Sequence, residues 1–215
     1  MRVADELRRR ILNGEFAPEQ RLKIDDLAAL LMVSQMPVRA ALHELEAEGI
    51  LDVFPHRGAV IRAVDTRFIE NMFDLRAAVE GMLTERCAAH IDDAGIATLK
   101  SLAKDYERAA ELKDSAAMVA SNLKLHAAIN RVADNPEAVR VLSRGRLLVQ
   151  ALRVRFGFGF GRSDAIAREH AMLIDAIAAK DVRRAGELAR EHCVGARDDL
   201  LALLAEQRPD RITTT

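Results

Sequence analysis

The sequence has little of what stabilises secreted or membrane-spanning proteins. Only two of its 215 residues are cysteines, Cys87 and Cys193, and they lie too far apart to form a zinc-finger set or a disulfide framework. The longest apolar run, Leu27 to Val33, is far shorter than the roughly 20 residues that cross a bilayer. The amino terminus lacks the apolar core of a signal peptide. These absences predict a protein of the reducing cytoplasm that does not enter a membrane.

The chain also lacks an excess of charge of either sign. Its 32 Lys and Arg residues oppose 33 Asp and Glu residues, which gives a net charge of −1. Such a balance provides no bulk attraction to phosphate, so a nucleic-acid binder would have to depend on a few well-placed basic groups. Half of the residues are hydrophobic, which excludes a disordered protein and is enough for one or two packed cores.

Apolar residues recur mostly at three- and four-residue spacings, which predicts a mainly helical protein. In the first 64 residues, the predicted elements are helices over about 3–13, 24–31 and 34–49 and strands over 51–54 and 59–63. Gly14 suits the end of the first helix, and Ser34 suits the N-cap of the third, whose first turn tolerates Pro37. The turn Pro55-His56-Arg57-Gly58 joins the strands. Residues 1–64, the amino-terminal module, are therefore predicted to form a winged helix-turn-helix.

The chain after Val64 has no further strand signal and consists of long amphipathic segments joined by short connections. The predicted helices cover about 66–90, 94–112, 115–133, 136–155, 164–179 and 182–205. Short connections favour antiparallel neighbours, so residues 65–206, the carboxy-terminal bundle, are predicted to form an antiparallel bundle of six to seven helices. Residues 207–215 have little to bury and are expected to be disordered.

A helix-turn-helix inserts the amino-terminal end of its second helix into the major groove. Here Gln35 has the amide that pairs with adenine, Met36 suits a thymine methyl, and Arg39 can reach guanine or phosphate. Arg57, at the tip of the wing, can reach the minor groove or the backbone. The open alternative is a protein-binding module, because isolated winged helices also have that role. The predicted DNA-contacting residues are Ser34, Gln35, Met36, Pro37, Arg39, Arg57 and Gly58.

Three histidines lie on predicted helices of the carboxy-terminal bundle. Asn122 precedes His126 by one helical turn, which places its oxygen on the same face as the imidazole. If His170 and His192 converged on this pair, the set would suit a divalent transition ion, zinc in first place with nickel or manganese as alternatives. The competing interpretation is that each histidine is a surface or partly buried residue satisfied by a neighbour.

An enzyme is the alternative from another class. Glu169 and Glu191 lie beside two of these histidines, and an open metal with a nearby carboxylate resembles a hydrolytic centre. However, neither glutamate belongs to an H-E-x-x-H pattern, and adjacent helix residues diverge by about 100°. We therefore predict that the protein is not an enzyme.

The first 64 residues resemble the DNA-binding domain of GntR-family bacterial transcription regulators. The resemblance rests on the strings ILNGEFAP, RLKIDDLAALLMVSQMPVRAALHELEAEGIL and HRGAVI. It implies a homodimer that binds double-stranded operator DNA. Glu19 and Met32 stand where the family commonly has glycine, and Gln35-Met36 replace a frequent Arg-Thr pair. The last departure bears on the operator sequence, because Gln and Met do not recognise guanine as Arg does.

The remainder of the chain resembles the FCD ligand-binding domain of one GntR subfamily. Phe73-Asp74-Leu75-Arg76 with Glu80, Asp134-Asn135-Pro136 and the three histidines carry this resemblance. It implies a metal held by Asn122, His126, His170 and His192, and a small carboxylate effector that completes the coordination sphere with help from Arg76. Asn122 stands where Asp is more usual. An equally good role for Arg76 is an ion pair with Glu80, and the effector's signal is expected to pass through the connection between Val64 and Phe68.

Overall fold

A computed structural model describes residues 2–55 and 57–206, so the predicted disorder of 207–215 and the wing residue His56 lie outside the described residues. The mainly helical architecture that was predicted is confirmed. The elements of the amino-terminal module are α1 (Val3–Leu12), β1 (Arg21–Leu22), α2 (Ile24–Leu31), α3 (Gln35–Ala47), β2 (Leu51–Phe54) and β3 (Gly58–Ile61). Those of the carboxy-terminal bundle are α4 (Thr66–His90), α5 (Asp93–Glu111), α6 (Ser115–Ala133), α7 (Pro136–Ser143), α8 (Arg146–Phe156), α9 (Arg162–Ala178) and α10 (Val182–Glu206).

The wing sheet has three strands in the order β1-β3-β2, all antiparallel. The prediction omitted β1, because a strand of two residues has no alternation that a sequence pattern can detect. It also extended the last strand to Ala63, whereas β3 ends at Ile61. Gly58 lies where β3 approaches β1: its φ is +81°, and a Cβ atom there would lie 2.2 Å from the Leu22 carbonyl oxygen. Only glycine fits this crossing.

The turn between α2 and α3 explains one departure from the family pattern. Met32 caps α2 in the left-handed conformation, with a φ of 54°, which is why glycine is favoured there. Ser34 occupies the N-cap of α3 as predicted, but its side chain makes no capping hydrogen bond. Ser34 therefore marks the start of α3 through its extended backbone and leaves its hydroxyl exposed at the helix end.

The predicted helix over 136–155 is two helices. It breaks between α7 and α8 at Gly145, whose φ of +67° no helix accommodates. The seven described helices of the carboxy-terminal bundle thus fall within the predicted number, with the additional one arising at this break. The most extensive helix-helix contact joins α4 to α10, and α5 packs on both α6 and α9. The main core includes Leu83, Leu125, Leu173 and Leu188.

Helix α8 ties the bundle to the amino-terminal module. Leu148 is buried within the core of that module, and Leu147 packs against the same core. The amide of Gly145 donates a hydrogen bond of 2.7 Å to the carbonyl of Glu48, just beyond α3. Across residues 2–55 and 57–206, no helix combines the length and the apolar character needed to cross a membrane.

Candidate nucleic-acid interface and metal centre

Helix α3 is the second helix of the helix-turn-helix and is called the recognition helix below. Together with the wing it borders an exposed basic cleft of about 320 Å³. Gln35 and Arg39 contribute from α3, and Arg57 and Gly58 from the wing, so four predicted DNA-contacting residues meet in one cleft. Ser34, Met36 and Pro37 lie outside its lining but are exposed at the start of α3. Gly58 itself is buried, so its contribution is the shape of the wing and not an exposed contact.

Arg21 and Lys23 also line this cleft, and the sequence analysis missed both. Their basic character was visible, but their position beside the wing depends on the short strand β1. The Nε of Arg21 donates a 2.9 Å hydrogen bond to the carbonyl of Arg57 and so connects β1 to the wing tip. The cleft therefore presents four basic side chains although the amino-terminal module has no net positive charge.

The side chain of Gln35 is held in place by its neighbours. Its Nε2 donates to Asp25 Oδ1 at 2.5 Å, and its Oε1 accepts from Arg39 Nη2 at 3.2 Å. Two-point pairing with adenine requires the same amide groups. Gln35 must therefore break its hydrogen bonds with Asp25 and Arg39 before its amide can pair with a base.

The three histidines come together in the carboxy-terminal bundle. His126 on α6, His170 on α9 and His192 on α10 each place one ring nitrogen within 4.8 Å of the other two. His170 is completely buried, and His192 is 5% exposed. Asn122, one turn before His126, accepts a 3.0 Å hydrogen bond at its Oδ1 from His170 Nε2. All four predicted metal-site residues thus form one cluster.

Two carboxylates that the sequence analysis did not assign to the cluster orient its imidazoles. Glu80 Oε2 lies 3.3 Å from His126 Nδ1, and Glu169 Oε2 lies 2.6 Å from His192 Nδ1. Accepting the Nδ1 proton leaves Nε2 of each ring with its lone pair, as is typical of histidines that bind metals. Glu169 does diverge from the adjacent His170, as predicted, but it faces His192 of the next helix. Finding this contact requires knowing that α9 and α10 are neighbours.

Burial keeps the imidazoles of His126 and His170 neutral. It lowers the pKa of His126 to about 4, with Glu80 opposing and His192 and Arg76 reinforcing the shift. It also lowers the pKa of His170 well below its usual value, and the charges of His192 and His126 add to this. A neutral imidazole is the form that binds a metal.

The cluster passes a test of fit for a divalent ion. Within the described part of the chain, His126 Nε2 and His170 Nδ1 are buried without a hydrogen-bond partner. Unpartnered buried nitrogens of this kind are costly unless a ligand satisfies them. The donor set of imidazole nitrogens and an amide oxygen also suits a transition ion.

Arg76 forms the ion pair with Glu80 that was one of its two predicted roles. Its guanidinium forms an ion pair with Glu80 at 2.8 Å and lies over the Phe73 ring, with Cζ 4.9 Å from the centroid. It also lines an open cavity of about 490 Å³ beside His126. Burial alone would raise the pKa of Glu80, but Arg76 and His126 together lower it to about 2. Glu80 therefore stays ionised and can orient both neighbours.

Both glutamates of the enzyme alternative already have partners. Glu169 contacts Arg162 as well as His192, and exposed Glu191 pairs with Arg184 at 3.0 Å. Neither is presented as a free base beside the histidine cluster.

Comparison with known proteins agrees with this two-part architecture. A model of the FCD domain matches residues 71–195, and a model of the gntR family of bacterial regulatory proteins matches residues 1–61. The chain is similar to the uncharacterised HTH-type transcriptional regulator YdhC of Bacillus subtilis, with 23% identity over 189 residues that cover 87% of this chain and 83% of that protein.

A second relative is the HTH-type transcriptional repressor GlaR of Escherichia coli, 25% identical over 194 residues that cover 86% of this chain and 88% of that protein. Among solved structures, McbR/YncC of E. coli superposes with a TM-score of 0.74 at 21% identity and covers 95% of this chain and 96% of its own. This last likeness supports the fold. The two sequence relatives are HTH-type transcriptional regulators by name.

Proposed function

The chain belongs to the GntR family of bacterial regulatory proteins, which are DNA-binding transcription regulators, and it carries an FCD domain; from this premise we propose that it is a repressor whose operator binding is modulated by a small organic acid. The observation that carries the proposal is the union, in one chain, of the basic cleft and the buried histidine cluster. We divide the protein at Val64 into a DNA-binding domain and an effector-binding domain that extends to Glu206.

Operator recognition is assigned to the exposed start of α3 and to the wing. Arg39 and Arg57, with Arg21 and Lys23, would contact phosphates or base edges, and Gln35 would contact a base. Ser34, Met36 and Pro37 would border the groove, and Gly58 would shape the wing. Because each module presents few basic groups, we propose that the protein binds as a homodimer, which doubles the number of phosphate contacts.

The effector-binding domain would hold a divalent metal ion, zinc in first place, through His126, His170, His192 and Asn122. The unpartnered buried nitrogens of His126 and His170 support this assignment. When bound, such an ion supplies positive charge that attracts the carboxylate of the effector. Asn122 brings one negative charge fewer than Asp would, which weakens the hold on a dication. Arg76, already oriented by Glu80, would contact the effector's carboxylate.

Signal transfer is assigned to α8 and to the connection that follows Val64. Arg146, Val149, Gln150 and Arg153 of α8 line a cavity beside the histidine cluster, whereas Leu148 of the same helix is buried in the core of the amino-terminal module. The two routes meet at Gly145, where an added Cβ would lie 2.6 Å from Met72 and 3.2 Å from Phe68. An effector that moves α8 would therefore move the recognition helices, provided that it binds the two arrangements with different affinity.

The test is DNA binding by the full, zinc-loaded chain. We expect it to shift a fragment of its own upstream region at low salt as a dimer, and a panel of small carboxylates to contain members that change the affinity. A fragment of equal length from an unrelated coding region is the control. Failure to bind the upstream fragment with or without zinc and acids would overturn the proposal.

A further inference from the structure

The basic cleft between the recognition helix and the wing contains a carboxylate. Asp25, in the first turn of α2, lines the cleft and is exposed. Within the described part of the chain, the other charged residues of the lining are the cations Arg21, Lys23, Arg39 and Arg57. An exposed anion in a cleft that receives DNA repels phosphate whatever the sequence. Asp25 therefore lowers the affinity for DNA unless a group of the target compensates for it.

The amino-terminal end of α2 does not account for Asp25. Acidic side chains stabilise the first turn of a helix, but Asp26, the next residue, provides the same charge in the same turn. Asp26 is also exposed, and it lies outside the lining of the cleft. The two aspartates thus share their place in the helix and differ in whether they line the cleft.

The hydrogen-bond partner of Asp25 is an amide and not a cation. Within the described residues, its Oδ1 accepts from Gln35 Nε2 at 2.5 Å, although four basic side chains line the same cleft. A carboxylate has about four lone-pair positions for hydrogen bonds, so this contact leaves most of its accepting capacity free. When Gln35 turns to a base, Asp25 loses this donor too. A donor from the DNA would replace it.

Asp25 lies within reach of the bases that Gln35 would contact. The hydrogen bond joins its carboxylate to the first residue of the recognition helix, at the end that enters the major groove. Phosphates offer a carboxylate no donor, whereas the exocyclic amines of cytosine and adenine do. A base edge is therefore the part of DNA that Asp25 can bind favourably.

Cytosine suits the carboxylate better than the other bases. Its major-groove edge carries only the N4 amine, which donates, whereas adenine places the acceptor N7 beside its N6 amine. Thymine and guanine present acceptors and no donor in this groove, so both repel an anion. Arg39, whose Nη2 donates to Gln35 Oε1 at 3.2 Å, has the donors that suit guanine. The contacts from Asp25 through Gln35 to Arg39 thus fit a site that contains C·G pairs.

We infer that Asp25 is a specificity-determining residue of operator recognition and accepts a hydrogen bond from the N4 amine of a cytosine in the major groove of each half-site. This inference rests on the proposed function and adds to it one base of the operator and the residue that selects it. Asp25 weakens binding to DNA that lacks this cytosine, so its contribution is a difference between the affinities for the operator and for other sequences.

Selection from a pool of duplexes with a randomised central segment tests the inference. DNA bound by the full, zinc-loaded chain is recovered and sequenced. For the unchanged chain, we expect one position in each half-site at which cytosine is preferred over thymine by about tenfold, the value of a hydrogen bond to a charged group. In Asp25→Ala this preference should fall below about twofold, while the preferences at other positions persist.

Asp26→Ala is the matched control, because it removes the same charge from the same helical turn outside the cleft. It should leave every base preference unchanged. Gln35→Ala should keep the cytosine preference, since the contact belongs to Asp25. Affinity for a fragment from an unrelated coding region is a second readout. We expect Asp25→Ala to bind it up to about fivefold more tightly, and Asp26→Ala less than about twofold, on the scale of exposed charge interactions.

The same cytosine preference in Asp25→Ala as in the unchanged chain would overturn the inference. Its loss in Gln35→Ala would do so too, because the contact would then belong to Gln35. A loss of preference at all positions in Asp25→Ala, with a lower thermal midpoint, would replace base recognition by a structural role.

Binding of the upstream fragment by the same preparations separates this failure from that of the proposed function. If the unchanged chain binds that fragment but shows no cytosine preference that depends on Asp25, the inference alone fails. If the unchanged chain binds no DNA, both fail.

Discussion

The amino-terminal module and the carboxy-terminal bundle build their candidate sites in opposite ways. In the module, Gln35 and Arg39 are exposed and lie within one turn of the same helix, and the wing residues follow a short distance along the chain. In the bundle, His126, His170 and His192 come from three separate helices and are largely buried. The side chains of a surface site are hydrated until the target binds. In a buried site, the surrounding residues determine the protonation state and the orientation of each side chain. This difference predicts that the two sites respond differently to acid, substitution and salt.

The largest expected difference between the two regions is the effect of acid on their stability. In the metal-free protein, His126 has a folded-state pKa of about 4, against 6.5 as its ordinary value. Between these pH values the imidazole is protonated in the unfolded chain but stays neutral in the folded chain. The free energy of unfolding therefore falls as the pH drops below 6.5. His126 alone accounts for a loss of roughly 3 kcal/mol by pH 4, and His170 adds to it.

The amino-terminal module should keep its stability to a lower pH than the carboxy-terminal bundle. Hydrogen bonds from Arg9 and Arg10 lower the pKa of Glu6 from 4.5 to about 2, so that contribution is complete above pH 4.5 and is lost only below it. Hydrogen exchange resolved by segment would measure the difference. Equal protection in the carboxy-terminal bundle at pH 7 and at pH 5 would contradict the lowered pKa values of His126 and His170.

Removing one histidine should abolish the metal site. We expect His170→Ala to weaken zinc binding more than about a hundredfold, because loss of an outer-shell partner alone commonly causes a 10- to 100-fold loss. Competition with a chromophoric chelator measures the affinity. His90→Ala is the matched control, since His90 is exposed at the end of α4. The same zinc affinity in both variants would contradict the assignment of the zinc site to the histidine cluster.

Removing one exposed arginine should have a smaller and purely local effect. We expect Arg39→Ala to lower operator affinity by roughly tenfold and, where Arg39 contacts phosphate, to reduce the salt dependence by about 0.9 for each lost contact. The thermal midpoint should not change, because Arg39 is exposed. Fluorescence anisotropy at several salt concentrations is the measurement, with the exposed Arg183→Ala on α10 as control. A fall in both affinity and thermal midpoint would assign Arg39 a structural role.

The smallest expected effect concerns backbone strain in the helix-turn-helix. Met32 is 91% exposed, and its backbone is in the left-handed conformation. Met32→Gly therefore removes little packing and relieves the backbone strain of that conformation. We expect a gain in unfolding free energy of up to about 1 kcal/mol. Met36→Gly is the control: it places glycine in the first turn of α3 and should lose stability. Urea unfolding followed by circular dichroism compares them, and a loss with Met32→Gly would mean that its side chain packs.

Local signals predicted the fold well. Helix α2 has the predicted bounds, Ile24 to Leu31, and the turn residues located the wing. Gly145 was a visible break that the amphipathic pattern over 136–155 concealed, because the apolar spacing continues across it. The strand β1 was too short to have a pattern of its own.

The candidate metal site could be predicted only in part. Spacing placed Asn122 beside His126, but the approach of His170 and His192 depends on how the helices pack, and for that the family resemblance was needed. The partners Glu80 and Glu169 were missed for the same reason. Their contacts join separate helices, and charge alone does not distinguish them from the many solvated glutamates of a helical chain.

The burial of Leu148 in the amino-terminal module has a consequence for how such proteins can be rearranged. The module is contiguous in sequence only up to Val64, yet its core is completed by a side chain from α8. A chimera that joins these first 64 residues to a different effector domain would expose apolar surface where Leu147 and Leu148 now pack. A transplant that keeps its stability must supply an equivalent of α8, so the smallest portable unit of this regulator is larger than its DNA-binding domain.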